Sequence, residues 1–307
     1  MKQFLLLALF VVFFSCKEEA TQENAESVAQ DSNALTEERE YAVLDSKVLD
    51  TEALCKPFEF DTKMFTETKY SKLKPLIFEK NIPEIQEAVA QGKLTYEELV
   101  LFYLTRIKKY DRENELSLNS IIALNPKILD QARELDEKRP QDLDPYSIYG
   151  MPILLKDNIN ASDMPTTAGA VVFEDNNAGD AFITQKLKEN GALILGKANL
   201  SEWAYFFCGD CPSGYSAVGG QTLNPYGRKI HDTGGSSSGS GVSMAANFAV
   251  AAVGSETSGS ILSPSSSNSV VGLKPTIGLL SRGGIVPISS TLDTPGPMTR
   301  TVVDNAI

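Results

Sequence analysis

From Leu118 onward, short apolar runs alternate with amphipathic ones: LNSIIAL, PKILDQARELDEKR, GMPILLKD, AFITQKLKENGA and LILGKA follow in that order. A brief apolar run bounded by turn residues reads as a strand buried on both faces, and the stretches between carry the helical period. Strands joined through helices lead to βαβ units, so the expected fold class is α/β, with a parallel or mixed β-sheet covered by helices on both faces. No repeat of fixed period is present.

Upstream, PEIQEAVAQGKL predicts a short helix ended by Gly92, and TYEELVLFYLTRIKKYD a longer one. Thr95 and Glu98 have capping-box spacing, Leu94 and Leu99 have that of a hydrophobic staple, and Leu99, Tyr103, Ile107 and Tyr110 share one helical face. From Asp45 to Leu76 no period stands out. The tail DTPGPMTRTVVDNAI opens a helical pattern that stops at Ile307 without a cap, so the C-terminal part of the domain is expected to be missing.

Asp232 to Gly241 reads DTGGSSSGSG, the composition of a flexible linker. A linker stays solvated between polar flanks. This tract instead runs straight into SMAANFAVAAVGSETSGSI, an apolar stretch that belongs inside a fold. Its glycines and serines are therefore expected to serve tight backbone geometry and hydroxyl chemistry, with a flexible linker as the alternative.

A nucleophilic serine needs a base, and histidine is the usual one. The single histidine, His231, sits in the polar context RKIHDT, where a solvated side chain is expected. Lysine can take the role when burial disfavours its ammonium form. Lys156 ends the apolar run of GMPILLKD, where it either extends its charge to solvent or meets polar partners in the interior.

The segment GGSSSGSGVSMAANFAVAAVGSETSGSI resembles the signature segment of the amidase signature family. GMPILLKDN, the TTAG at Thr166 to Gly169, GKANLSEWA, SAVGGQTLNPYG, VGLKPTIG and DTPGPMTRTVVD resemble the same family in the expected order, over roughly Ile82 to Ile307. The resemblance implies a Ser-cisSer-Lys triad acting on amides, with Lys156 as base, Ser236 as the bridging cis serine and Ser260 as nucleophile. Gly235 makes an unusual peptide geometry at Ser236 accessible. It also implies an oxyanion hole of backbone N–H groups from Thr257, Ser258, Gly259 and Ser260. Ser237, Ser238, Ser240 and Ser258 are expected to line the site. The chemistry is consistent with these roles, because amide hydrolysis needs a deprotonated hydroxyl, a stabilised oxyanion and a proton for the departing nitrogen. The expected partner is a small amide or peptide amide, with no cofactor and no metal.

The first fifteen residues, MKQFLLLALFVVFFS, have the charge and hydrophobic order of a secretory signal and are short for a membrane span. With Cys16 directly following, they resemble a bacterial lipoprotein signal (1–15), which implies lipidation of Cys16 and a lipid-anchored protein of the cell envelope, periplasmic or outer-membrane; an ordinary secretory signal with an incidental cysteine is the alternative. Residues 16–44 are then an acidic tether, 45–81 an N-terminal extension and 82–307 the amidase signature domain. Of the formal net charge of −12, −6 lies between Lys17 and Glu40. That acidity, and the lack of a basic cluster, argue against a nucleic-acid partner. Cys208 and Cys211 form a CGDC pair that reads as a loop disulfide, with free thiols as the alternative; no second pair exists to complete a zinc site. Two other functions fit the same features: a non-catalytic surface binding lipoprotein on an amidase scaffold, and an amidotransferase A-type subunit, against which the export signal and acidity speak.

Overall fold

In the computed structural model, residues 41–112, 114–207 and 210–307 are described. The lipoprotein signal, Cys16 and most of the expected tether lie outside them.

The strands are β1 (Ile121–Leu124), β2 (Pro152–Lys156), β3 (Leu193–Ala198), β4 (Tyr215–Ser216), β5 (Gly220–Gln221), β6 (Ala251–Glu256), β7 (Val271–Gly272) and β8 (Thr294–Thr299). Six form one mixed sheet in the order β1-β3-β2-β6-β8-β7, while β4 and β5 pair separately. β2 runs parallel to both neighbours, β3 and β6, and the outer pairings are antiparallel. The strand that ends in Lys156 is thus central, with every residue buried.

Successive strand residues point to opposite faces, so a run apolar at every position feeds two cores. Leu154, Leu193, Leu195 and Ala252 join one cluster with the helices α5 (Tyr96–Ile107) and α8 (Ser238–Ala245). Ile153, Leu155, Ile194 and Val253 join the other, against Ile183 and Leu187 of α7 (Phe182–Glu189). Each Leu, Ile or Val among them stabilises the fold by roughly 1.5–3 kcal/mol when fully buried. The expected mixed sheet with helices on both faces is what the chain forms.

The helical expectations upstream also hold. α4 (Ile82–Ala90) precedes Gly92, and α5 starts on a capping box made by Thr95 and Glu98, with Leu94 and Leu99 both buried. Residues 45–81, illegible in sequence, form α1 (Thr51–Cys55), α2 (Glu59–Met64) and α3 (Glu67–Ile77), whose Tyr70, Leu73 and Ile77 enter the α5 core. Residues 41–44, inside the expected tether, lie on the body: Tyr41 N–H donates to Lys229 O at 2.9 Å and Gln221 N–H to Leu44 O at 2.7 Å. Between β1 and β2 runs α6 (Ile128–Glu137), and α9 (Leu262–Ser267) follows β6. The tail forms β8 and then α10 (Val302–Ala306). Sequence reasoning missed β8 because Pro295 and Pro297 read against a central strand. Leu273 N–H donates to Pro297 O, so the absent N–H of each proline points away from β6, toward an edge that β7 covers over only two residues.

Candidate active site

Lys156 is fully buried at the end of β2. Its Nζ lies 2.7 Å from Ser236 Oγ, 3.0 Å from Ser255 Oγ and 3.1 Å from Ser255 O. None of these partners is charged. Burial therefore pushes the amine down to about 7, while Asp293 and Glu256 pull the other way through space. An amine in that range can be neutral and accept a proton at ordinary pH.

Ser236 sits ahead of α8 and is itself fully buried. The Gly235–Ser236 peptide is cis. Ser236 O accepts the N–H of Ser201 at 3.1 Å, which fixes the serine from behind. Gly235 leaves room for this approach: a Cβ there would stand 2.4 Å from the Tyr205 hydroxyl oxygen and 2.6 Å from Ser201 Oγ. The tract is therefore interior structure rather than a linker, and α8 starts inside it.

Ser260 lies just beyond the end of β6 and is 8% exposed. It is bound to the Ser236 segment through the backbone, since Ser237 N–H donates to Ser260 O at 3.1 Å. Among the described residues, no hydrogen bond engages the Ser260 hydroxyl itself. The intervening loop is held by one carboxylate. Glu256 Oε1 accepts Gly259 N–H at 2.8 Å, and Oε2 accepts those of Ile261 at 2.7 Å and Leu262 at 2.9 Å. Of the four expected oxyanion donors, Gly259 is thus engaged by Glu256. The N–H groups of Thr257, Ser258 and Ser260 meet no acceptor among the described residues. Gly259 has φ +86°, a left-handed conformation that glycine takes without strain.

The other serines divide. Ser237 Oγ donates to Ser255 O at 3.1 Å and Ser238 Oγ to Gly234 O at 2.6 Å, Ser240 Oγ is buried without a partner among the described residues, and Ser258 is exposed. His231 is exposed. Cys211 is disulfide-bonded, and Cys208 lies outside the described residues. No group of three or more His, Cys, Asp or Glu suited to a metal occurs among the described residues.

Sequence reasoning missed Ser255, Asn158 and Glu256. Asn158 Nδ2 donates to Ser255 Oγ at 2.8 Å, behind Lys156. It also missed a second buried lysine. Lys197 Nζ lies 3.0 Å from Asp157 Oδ1 and donates to Ile159 O at 2.7 Å and Thr166 Oγ1 at 2.8 Å. Burial lowers its pKa too, but the adjacent carboxylate opposes the shift and its donors are occupied. The first lysine thus has hydroxyls beside it and the second a carboxylate, so only the second is held in an ion pair.

The sequence profile described as Amidase matches residues 98–307. A probable amidase of Arabidopsis thaliana is 45% identical over 234 residues, covering 74% of this chain and 44% of its own length. Among solved structures, an amidase family protein from Bacillus anthracis superposes with a TM-score of 0.80 at 43% identity, over 86% of this chain and 53% of that one. The native peptide amidase of Stenotrophomonas maltophilia superposes with a TM-score of 0.71 at 48% identity, over 75% of this chain and 47% of that one. The chain spans about half the length of the curated relatives it matches. With the mixed sheet, the buried lysine and the serine segments in the order the resemblance required, the chain belongs to the amidase signature family.

Proposed function

We propose that the protein hydrolyses carboxamides, peptide amides among them, through an acyl-enzyme on Ser260. The observation that carries the reading is the fully buried Lys156 amine at 2.7 Å from Ser236 Oγ, with its pKa lowered to about 7. Neutral Lys156 takes the Ser236 proton while Ser236 takes that of Ser260, and Ser260 Oγ bonds to the carbonyl carbon. The free N–H groups of Thr257, Ser258 and Ser260 stabilise the oxyanion. The C–N bond then breaks as the nitrogen receives a proton from Ser236, which Lys156 replenishes. Water attacks the acyl group and gives its proton along the same route, and the Ser260–acyl bond breaks as the proton returns to Ser260. The net change is amide plus water to acid plus amine.

The inclusion of peptide amides is supported by the likeness to a peptide amidase. Export and lipid anchoring at Cys16 are supported by the charged, apolar, Ser-Cys order of residues 1–16. Incubation with a panel of C-terminally amidated peptides, simple carboxamides and fatty amides tests the reading, with release of the amine as the readout. Turnover of none of them, together with no covalent labelling of Ser260 by a fluorophosphonate, overturns it.

A further inference from the structure

The surroundings of Lys156 Nζ contain more than the relay uses. A neutral amine nitrogen has three directions besides its carbon: two N–H bonds and one lone pair. Three oxygens stand around it, and two of them belong to Ser255. Ser255 O is a carbonyl and can only accept, so one N–H goes there. Ser237 Oγ donates to the same carbonyl at 3.1 Å and fixes its direction.

The Ser255 hydroxyl is held from the other side. Asn158 Nδ2 donates to it at 2.8 Å and occupies one lone pair, leaving the second to the other N–H of the lysine. Asn158 is 4% exposed and anchored by its own backbone, since its carbonyl accepts Val286 N–H at 2.8 Å. Asn158 and Ser255 both line a cleft with Thr257 and Asp293, and the serine hydrogen can turn toward it. The remaining direction of the amine is that of its shortest contact, Ser236 Oγ at 2.7 Å.

We propose that Ser255, held by Asn158, is a positioning residue for Lys156: it accepts both hydrogens of the neutral amine and leaves the lone pair directed at Ser236. The inference rests on the acyl-enzyme reading above and deepens it. The charged groups facing Lys156 are Glu256 and Asp293; Asp157, next in the chain, is engaged by Lys197.

The test is the pH dependence of fluorophosphonate labelling of Ser260 in the 307-residue chain. Ser255→Ala keeps the carbonyl and removes the hydroxyl. The ammonium loses an acceptor it needs more than the amine does, so the acid limb moves down by about one pH unit, and the plateau falls about tenfold as the lone pair loses its direction. Ser255→Thr restores both. Asn158→Asp places an anion beside the ammonium and moves the acid limb up. Slower labelling in Ser255→Ala with an unmoved acid limb overturns the assignment, as does failure of Ser255→Thr to restore labelling in a protein with wild-type thermal unfolding. Should Ser255→Ala not fold, Asn158→Asp decides, and an acid limb that stays in place counts against the proposal. The reading beneath is checked separately: labelling of the wild type that survives Ser260→Ala, or is indifferent to Lys156→Ala, sinks the acyl-enzyme mechanism whatever Ser255 does.

Discussion

Ser237 donates its backbone N–H to the carbonyl of Ser260 at 3.1 Å. One hydrogen bond thus ties the residue after Ser236 to Ser260, the nucleophile of the proposed mechanism, across 23 positions of sequence. Because β2 and β6 are adjacent and parallel, the Lys156 end of one strand and the Ser255 end of the other meet at that same point. The consequences are measurable.

Ser260→Ala is expected to abolish both amide turnover and fluorophosphonate labelling. Lys156→Ala should reduce both by roughly a hundredfold or more, the usual scale for loss of a general acid-base partner. His231→Ala should leave both near wild type, since that side chain is exposed. Equal damage from the histidine and lysine substitutions in folded protein would point to a histidine mechanism instead.

The rate of Ser260 labelling should climb with pH and level off. In the proposed mechanism Lys156 works as the neutral amine, and its pKa is lowered to about 7 by burial, so the midpoint of the rise is expected near that value. A midpoint near 10 would mean that the amine is solvated.

Lys156→Met should stabilise the fold below neutral pH. The folded-state pKa of about 7 lies below the ordinary lysine value of 10.5, so the unfolded chain binds the extra proton more readily between those values and wild-type stability rises with pH across that window. Below pH 7 the full penalty is present, ~5 kcal/mol at the conversion of 1.36 kcal/mol per unit. Denaturant unfolding at pH 6 and pH 9 should show the advantage of the variant shrinking at the higher pH. An advantage independent of pH would assign it to packing alone.

Glu256→Gln should loosen the loop that carries Ser260. The carboxylate accepts three backbone N–H groups, and the amide offers one oxygen in place of two and no charge. A loss of about 1–3 kcal/mol in unfolding free energy is expected, with labelling slowed about tenfold. Wild-type stability in this variant would show that the loop is held by other contacts.

Cys16→Ser should move the protein from the membrane fraction to the soluble envelope fraction. The expectation follows from the signal-like order of residues 1–16. Unchanged membrane association in the variant would rule out a lipid anchor at that cysteine.

The sequence by itself determined the elements whose signal is local. The apolar runs that became β1, β2 and β3 are buried on both faces of the sheet, and the cap of α5 is written in Thr95 and Glu98. The matching segments also carried Lys156, Ser236 and Ser260, because each motif is contiguous. What the sequence could not rank was its two buried lysines. GMPILLKD and LILGKA read alike, as strands carrying a lysine at or near their ends, and only the tertiary structure gave Lys156 neutral oxygens and Lys197 the Asp157 carboxylate. Ser255, Asn158 and Glu256 were illegible for the same reason. A polar residue has no periodicity to betray its partner, and these partners come from other strands and loops. β8 was hidden because its prolines are tolerated only where the ladder asks no N–H of them, here on the side away from β6, a property of the assembled sheet. Local pattern marks the strands and helices whose own residues carry a period; the surroundings that lower the pKa of Lys156 exist only once those segments have packed.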